Sequence, residues 1–315
     1  MVVGLSSREG QLILGFGAKV RFGSVPPAAD DIFEIGSVTK VFTGYLHARA
    51  LERGSVGLTD PIDPYFPAGV PHWGSQSIQL LQLATHTSGL PNYPNNLHSS
   101  DPANPAASYT AQDLVSFLST HSLSTAPGSQ FLYSNLGSGM LGSALVKASG
   151  ARSFEALVQQ EIAGPLSMPD TRILLSLEQH QRRIQGYQFG LPASFGDIGE
   201  PLAGGGALRS TARDLLAFFE PGSGIGPSSA VATWSTVLVP RAPSPFGVNG
   251  STGLLINIED YAGSRLYSKG GGTAGFTSQV AFTRDQPAVV VLLSNCQNVQ
   301  GLRNLSTALL ELLRK

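Results

Sequence analysis

Three short motifs carry residue types whose spacing could do chemistry: Ser37-Val38-Thr39-Lys40, Tyr133-Ser134-Asn135 and Lys269-Gly270-Gly271. A serine hydroxyl is a poor nucleophile until a neighbour removes its proton. If a helix starts at Ser37, Lys40 lies one turn on and shares its face, so the amine can point at the hydroxyl. Desolvation and a second nearby cation would lower the pKa of Lys40 and make it a base. A tyrosine near two lysines is favoured as phenolate, which gives Tyr133 a role as base or acid. Asn135 offers a donor and an acceptor for a substrate amide. Lys269 adds positive charge, and Gly270, Gly271 and Gly272 let a substrate lie close to strand backbone. Taken singly, each motif has a plain alternative: a capping serine beside a surface lysine, a turn with a packed tyrosine ring, a glycine-rich hairpin. Together they are the equipment for forming and breaking an acyl-enzyme, and they imply a serine hydrolase.

Other chemistries find less support. Gly270, Gly272 and Gly275 match a dinucleotide-binding spacing, but the residues that follow read as strand, where that fingerprint needs a helix. No G-x-S-x-G elbow occurs, which sets aside an α/β-hydrolase. The six histidines are scattered with no H-E-x-x-H, so no metal site is indicated and no cofactor is implied. The single Cys296 excludes an internal disulfide, and its place beside an apolar strand predicts a buried packing role.

The elements that must position these residues fit a chain of 315 residues, 42% hydrophobic and 13% charged, enough for a large core. The formal net charge of −1, with no basic run, predicts no nucleic-acid or polyanion partner. No segment has the uninterrupted apolar length of a membrane span. The first residues lack the charged region and cleavage site of a signal peptide, which predicts either an intracellular protein or a trimmed terminus.

Strands are predicted over Val2–Leu5, Gln11–Val20 and Ile32–Ile35, then a helix over Ser37–Arg53 closed by Gly54. The middle of the chain is rich in Pro, Asn and Ser, with short helices expected at Ser77–Thr85, Ala111–Thr120, Gly137–Ala148 and Ser153–Ile162. A capped helix follows at Ser210–Phe219. Strands return at Gly253–Ile258, Arg265–Ser268, Ser278–Thr283 and Ala288–Ser294, and an apolar-faced helix covers Leu302–Leu313. Strands at both ends around a helical middle imply one sheet assembled from distant segments.

The three motifs and their surroundings resemble the penicillin-recognising serine hydrolases: class C β-lactamases, D-Ala-D-Ala peptidases and related family VIII esterases. Phe33-Glu34-Ile35-Gly36-Ser37-Val38-Thr39-Lys40 is similar to the family's nucleophile segment, and Leu83-Ala84-Thr85-His86-Thr87-Ser88-Gly89-Leu90-Pro91 to its "HTSGLP" loop. Pro127-Gly128 leading to Tyr133-Ser134-Asn135, and Gly204-Gly205-Gly206 with Ser210-Thr211-Ala212-Arg213-Asp214, extend the likeness over nearly the whole chain. It implies an α+β, β-lactamase/transpeptidase-like fold: an antiparallel sheet flanked by helices (residues 1–65 and 200–315) and a mostly helical domain (66–199), with the site in the cleft between. It also implies roles. Ser37 is the acylated nucleophile, Lys40 its partner and Tyr133 the general base. Asn135 is the amide contact, Lys269 the third-motif lysine, and the backbone N–H groups of Ser37 and Gly272 form the oxyanion hole. His86 is expected to brace a loop. A periplasmic or secreted location follows if the terminus was trimmed.

Three departures qualify the likeness. Gly270 stands where the family often has a Thr or Ser hydroxyl for a substrate carboxylate. No E-x-x-L-N segment is present, so no glutamate-activated water is indicated. A strand, not a helix, opens the chain. The leading expectation is a β-lactamase-type enzyme acting on a small-molecule substrate, a β-lactam or a D-amino-acid peptide. A carboxylesterase of short-chain esters on the same scaffold is the alternative, favoured by Gly270. A catalytically silent binding protein is the third.

Overall fold

A computed structural model describes residues 1–97, 104–297 and 299–314. In chain order its strands are β1 (Val2–Ser7), β2 (Gly10–Gly15), β3 (Phe33–Glu34), β4 (Tyr187–Gln188), β5 (Leu191–Pro192), β6 (Arg209–Ser210), β7 (Ala242–Pro243), β8 (Ser251–Thr252), β9 (Asn257–Tyr261), β10 (Ser264–Gly272), β11 (Thr277–Thr283) and β12 (Ala288–Ser294). Its α-helices are α1 (Thr39–Glu52), α2 (Leu80–Ala84), α3 (Ala111–Leu118), α4 (Asn135–Ser149), α5 (Phe154–Val158), α6 (Leu177–Gln181), α7 (Ala212–Ser223), α8 (Ser228–Val237) and α9 (Leu302–Leu313). Among the described residues, eight strands make one sheet in the order β2-β1-β12-β11-β10-β9-β8-β7. Its neighbours pair antiparallel throughout.

The sheet is covered on both faces, and β12 shows why. Its seven residues Ala288-Val-Val-Val-Leu-Leu-Ser294 are all buried. Val289, Val291 and Leu293 face the main core with Leu215, Leu216, Phe218 and Phe219 of α7. Ala288, Val290 and Leu292 face the other way, onto Leu302 and Leu310 of α9. The period of two thus feeds two apolar layers, as a doubly covered strand requires. Beyond α7 lies α1, buried over its first ten residues from Thr39 to Ala48. Phe42 stacks on Phe218 at 3.9 Å between ring centroids, and α1 also packs against α4 and α8. One core cluster therefore runs from the sheet through α1 into the helical layer.

A 3₁₀ segment, Glu200–Gly205, lies along α4. Glycines permit the contact: a Cβ on Gly139 would come within 2.6 Å of the Leu202 Cα, and one on Gly142 within 3.2 Å of the Gly204 Cα.

Three expectations are corrected. The second strand ends at Gly15, well short of Val20. Gly253–Ile258 is largely a turn, closed by the Gly253 N–H to the Ile256 carbonyl (3.0 Å) with Leu255 at φ 61°; the long strand begins at Asn257. Cys296 is exposed, because it lies past the last ladder residue, Ser294, where its carbonyl accepts from Thr277 Oγ1 (2.7 Å) while its side chain faces out.

Candidate active site

Ser37 sits in a tight 3₁₀ turn, Gly36–Val38, at the head of α1. The turn starts at Gly36 with φ 47°, where a Cβ would also strike Gly272 at 2.7–2.8 Å. Only glycine combines that left-handed backbone with so close an approach. Across the gap, a Cβ on Gly271 would fall 2.1 Å from the Ile35 carbonyl and 3.0 Å from the Ser37 nitrogen. Ser278 Oγ donates to the same Ile35 carbonyl at 2.8 Å. The nucleophile turn is therefore pressed against the end of β10, and the N–H groups of Ser37 and Gly272 belong to the same small region.

Ser37 Oγ has two side-chain partners: Lys40 Nζ at 3.1 Å and Tyr133 OH at 2.9 Å. Lys40 is fully buried, and its Nζ also donates to Asn135 Oδ1 and to the Gly205 carbonyl, each at 2.5 Å. Burial, then the charge of Lys269, hold the Lys40 amine well below its usual range. A neutral amine has two hydrogens and one lone pair. With both hydrogens spent on Asn135 and Gly205, the lone pair is left for the Ser37 O–H. Lys269 is itself buried and pushed down to about 7 by burial. The two lysine Nζ atoms lie 5.0 Å (Lys40) and 5.1 Å (Lys269) from the centroid of the Tyr133 ring.

The sequence favoured Tyr133 as phenolate. In the fold, burial raises the phenol to about 12, outweighing the hydrogen bond to Ser37, with Tyr93 adding to the rise. Burial therefore works against the phenolate that the neighbouring lysines suggest.

The loop from Thr85 to Asn92 props the tyrosine motif. His86 is buried at φ 58°. Its carbonyl accepts from Leu132 N–H at 2.7 Å and its Nδ1 from Ser134 N–H at 3.2 Å, and its ring lies 4.5 Å from that of Tyr133. Burial, reinforced by both lysines, keeps the imidazole neutral. It makes no hydrogen bond to Ser37; it braces, as the sequence suggested. Ser134 accepts from Gly137 N–H at 2.8 Å as the cap of α4 and donates to the Pro91 carbonyl at 2.6 Å.

Two contributors had no sequence signal. Asn92 Oδ1 accepts from Asn135 Nδ2 at 2.7 Å while Asn135 Oδ1 accepts from Lys40, which holds the amide in place and leaves its second N–H for a substrate. The Gly205 carbonyl is backbone, and only the glycine triplet around it was visible. Gly270 is exposed in β10 opposite Gln279. β9 pairs with β10 only as far as Ser268, so among the described residues Lys269 to Gly272 have a strand partner on one side alone. A cavity of about 40 Å³ over Ser37, walled by Tyr93, Asn135, Ile198 and Gly272, adjoins one of about 330 Å³ that shares Tyr93, Ile198 and Gly272.

The sequence pattern of the family described as Beta-lactamase matches residues 5–313. The chain belongs to the β-lactamase family. Among its relatives is the D-alanyl-D-alanine-carboxypeptidase/endopeptidase AmpH of Escherichia coli K12, 34% identical over 201 residues, covering 62% of this chain and 50% of AmpH. Penicillin-binding protein 4* of Bacillus subtilis 168 is 26% identical over 290 residues, covering 86% of this chain and 62% of that protein. The chain thus spans about half the length of AmpH. Among solved structures, a β-lactamase/D-alanine carboxypeptidase from Yersinia pestis superposes with a TM-score of 0.83 at 23% identity, covering 99% of this family member and 92% of that chain. A class C β-lactamase gives a TM-score of 0.84 at 19% identity, with coverage of 97% and 88%. These likenesses establish the β-lactamase-like fold expected from the sequence.

Proposed function

We propose that this member of the β-lactamase family is a serine hydrolase that turns over small-molecule acyl substrates through an acyl-enzyme on Ser37. The observation that carries the reading is the hydroxyl held at once by Lys40 Nζ (3.1 Å) and Tyr133 OH (2.9 Å). Lys40, as the neutral amine, takes the Ser37 proton as Oγ attacks the substrate carbonyl. The Ser37 and Gly272 N–H groups receive the oxygen as it becomes anionic. Tyr133, a phenol in contact with Oγ, gives its proton to the leaving nitrogen or oxygen and regains one from the Lys40 ammonium, so that both groups return to their starting states. Lys269 depresses the Lys40 pKa and presents positive charge to an anionic substrate group. Part of the same proposal is a sheet domain (1–65 and 200–315) carrying Ser37 and Lys269, and a helical domain (66–199) carrying Tyr133 and Asn135. The names of the relatives favour β-lactam or D-amino-acid amide bonds as targets.

A second reading, ester hydrolysis, has one observation of its own: Gly270 supplies no hydroxyl for a carboxylate. The test is intact-protein mass spectrometry with a penicillin, alongside kinetics on a chromogenic cephalosporin and a short-chain nitrophenyl ester. A penicilloyl adduct on the wild type and none on Ser37→Ala is expected; an equal adduct on Ser37→Ala would remove the assignment. Ester turnover with only stoichiometric cephalosporin acylation would select the second reading.

A further inference from the structure

A cavity of about 670 Å³ lies between α3 and the outer face of α4 and shares no lining residue with the cavities at Ser37. Its size is that of a small-molecule site. The walls are largely apolar, with Phe66, Tyr109, Leu114, Val115, Leu118 and Val146 among them.

The charged groups around it are unbalanced. Lys147 and Arg152 both line it. The Lys147 ammonium donates to the Tyr65 carbonyl and lies 4.9 Å from the Phe66 ring centroid. Arg152 is exposed at the rim and, among the described residues, has no hydrogen-bond or ion-pair partner. The one acid in the lining, Glu200, is taken up elsewhere: its Oε1 accepts the Phe154 N–H at 2.5 Å at the start of α5. An apolar chamber with an uncommitted guanidinium at its mouth suits a ligand with the complementary arrangement.

We propose that this cavity binds a hydrophobic carboxylate, its apolar body between α3 and α4 and its carboxylate on Arg152. The machinery at Ser37 is not required for binding, so this inference stands or falls apart from the proposed hydrolysis.

The test is isothermal titration of the full chain with decanoate, and with decanol as the uncharged counterpart. Two variants are compared, Arg152→Glu at the rim and Val115→Trp within the chamber, each checked for native circular dichroism. Saturable decanoate binding is expected, weakened about tenfold or more in Arg152→Glu (a tenfold change is about 1.4 kcal/mol) and lost in Val115→Trp, with decanol weaker than decanoate. Overturning results are no binding by the wild type, an unchanged Kd in Arg152→Glu, or full binding in a folded Val115→Trp.

Discussion

On the helical side of Ser37, Tyr133, Asn135 and Asn92 act through side-chain hydrogen bonds, and His86 braces them through the Ser134 N–H. On the sheet side, Gly270, Gly271 and Gly272 supply backbone alone. The first wall fixes where protons sit: His86 is buried, Tyr133 half-buried, and both have displaced pKa values. The second fixes how near a carbonyl can come, because nothing projects from it. Substitution should therefore hurt the two walls in opposite ways: by removing a group on one, by adding one on the other.

The largest effect is expected at the point where both walls converge. Lys40→Met keeps an apolar stem in a buried site and deletes the base, so the Ser37 acylation rate should fall about 10²–10⁴-fold, the usual worth of a general base; stopped-flow acylation by a chromogenic cephalosporin reads it. A rate within a few-fold of wild type would shift the base role to Tyr133.

Adding one methyl group to the sheet wall comes next. Gly271→Ala places a Cβ 2.1 Å from the Ile35 carbonyl, and the backbone around Ser37 must move. Acylation should slow at least about tenfold and stability should fall by about 1–3 kcal/mol, as overpacking costs, measured by urea denaturation. A variant with native stability would show that this wall has room.

Lys269→Met probes how the two sides communicate. The Lys269 charge lowers the Lys40 pKa, so removing it raises that pKa and the acid limb of kcat/KM should move to higher pH. Stability gives a second readout with a definite sign. Lys269 titrates near 7 in the fold and at roughly 10.4 when unfolded, so between those values the unfolded chain binds more protons and wild-type stability rises with pH. The variant should lose the share of that rise due to Lys269 and keep the share due to Lys40, whose amine is also held below its usual range. An unmoved acid limb would mean that the two amines do not interact.

Gly270→Thr is the mildest. Its Cβ meets the end of the Gln279 side chain at 3.0 Å from Oε1, which can turn aside, and the Ser278 carbonyl at an ordinary 3.8 Å. If carboxylate anchoring limits turnover, cephalosporin kcat/KM should rise several-fold with ester kinetics unchanged; no change in a folded variant would discard that explanation.

What could be read from the sequence follows the same division. β12 and α9 were located to the residue, since one alternates between two apolar layers and the other carries a single apolar face. The nucleophile and its companions were visible as side-chain types at helical and loop spacings. Asn92 was missed because a lone asparagine after a proline has no distinguishing pattern, and the Gly205 carbonyl because an acceptor on the backbone leaves none at all. At Tyr133 the neighbouring lysines suggest a phenolate, while burial, which pushes the pKa up, appears only in three dimensions. The Gly253–Ile256 turn was read as strand because its apolar residues Leu254, Leu255 and Ile256 are buried without being extended.

The pairing of β1 with β12 has a consequence for synthesis. Val2 to Ser7 lie between β2 and a strand translated about 280 residues later, so a ribosome-bound chain holds half of its sheet's seam open until the last hairpin emerges. Ser37, made early, waits for Lys269 and Gly272 of β10, which emerge only just before that hairpin. Acylation competence should thus appear abruptly, once β12 has emerged, and chaperones that shield unpaired strand edges should matter more to its yield than to that of a protein folding from its N-terminus onward.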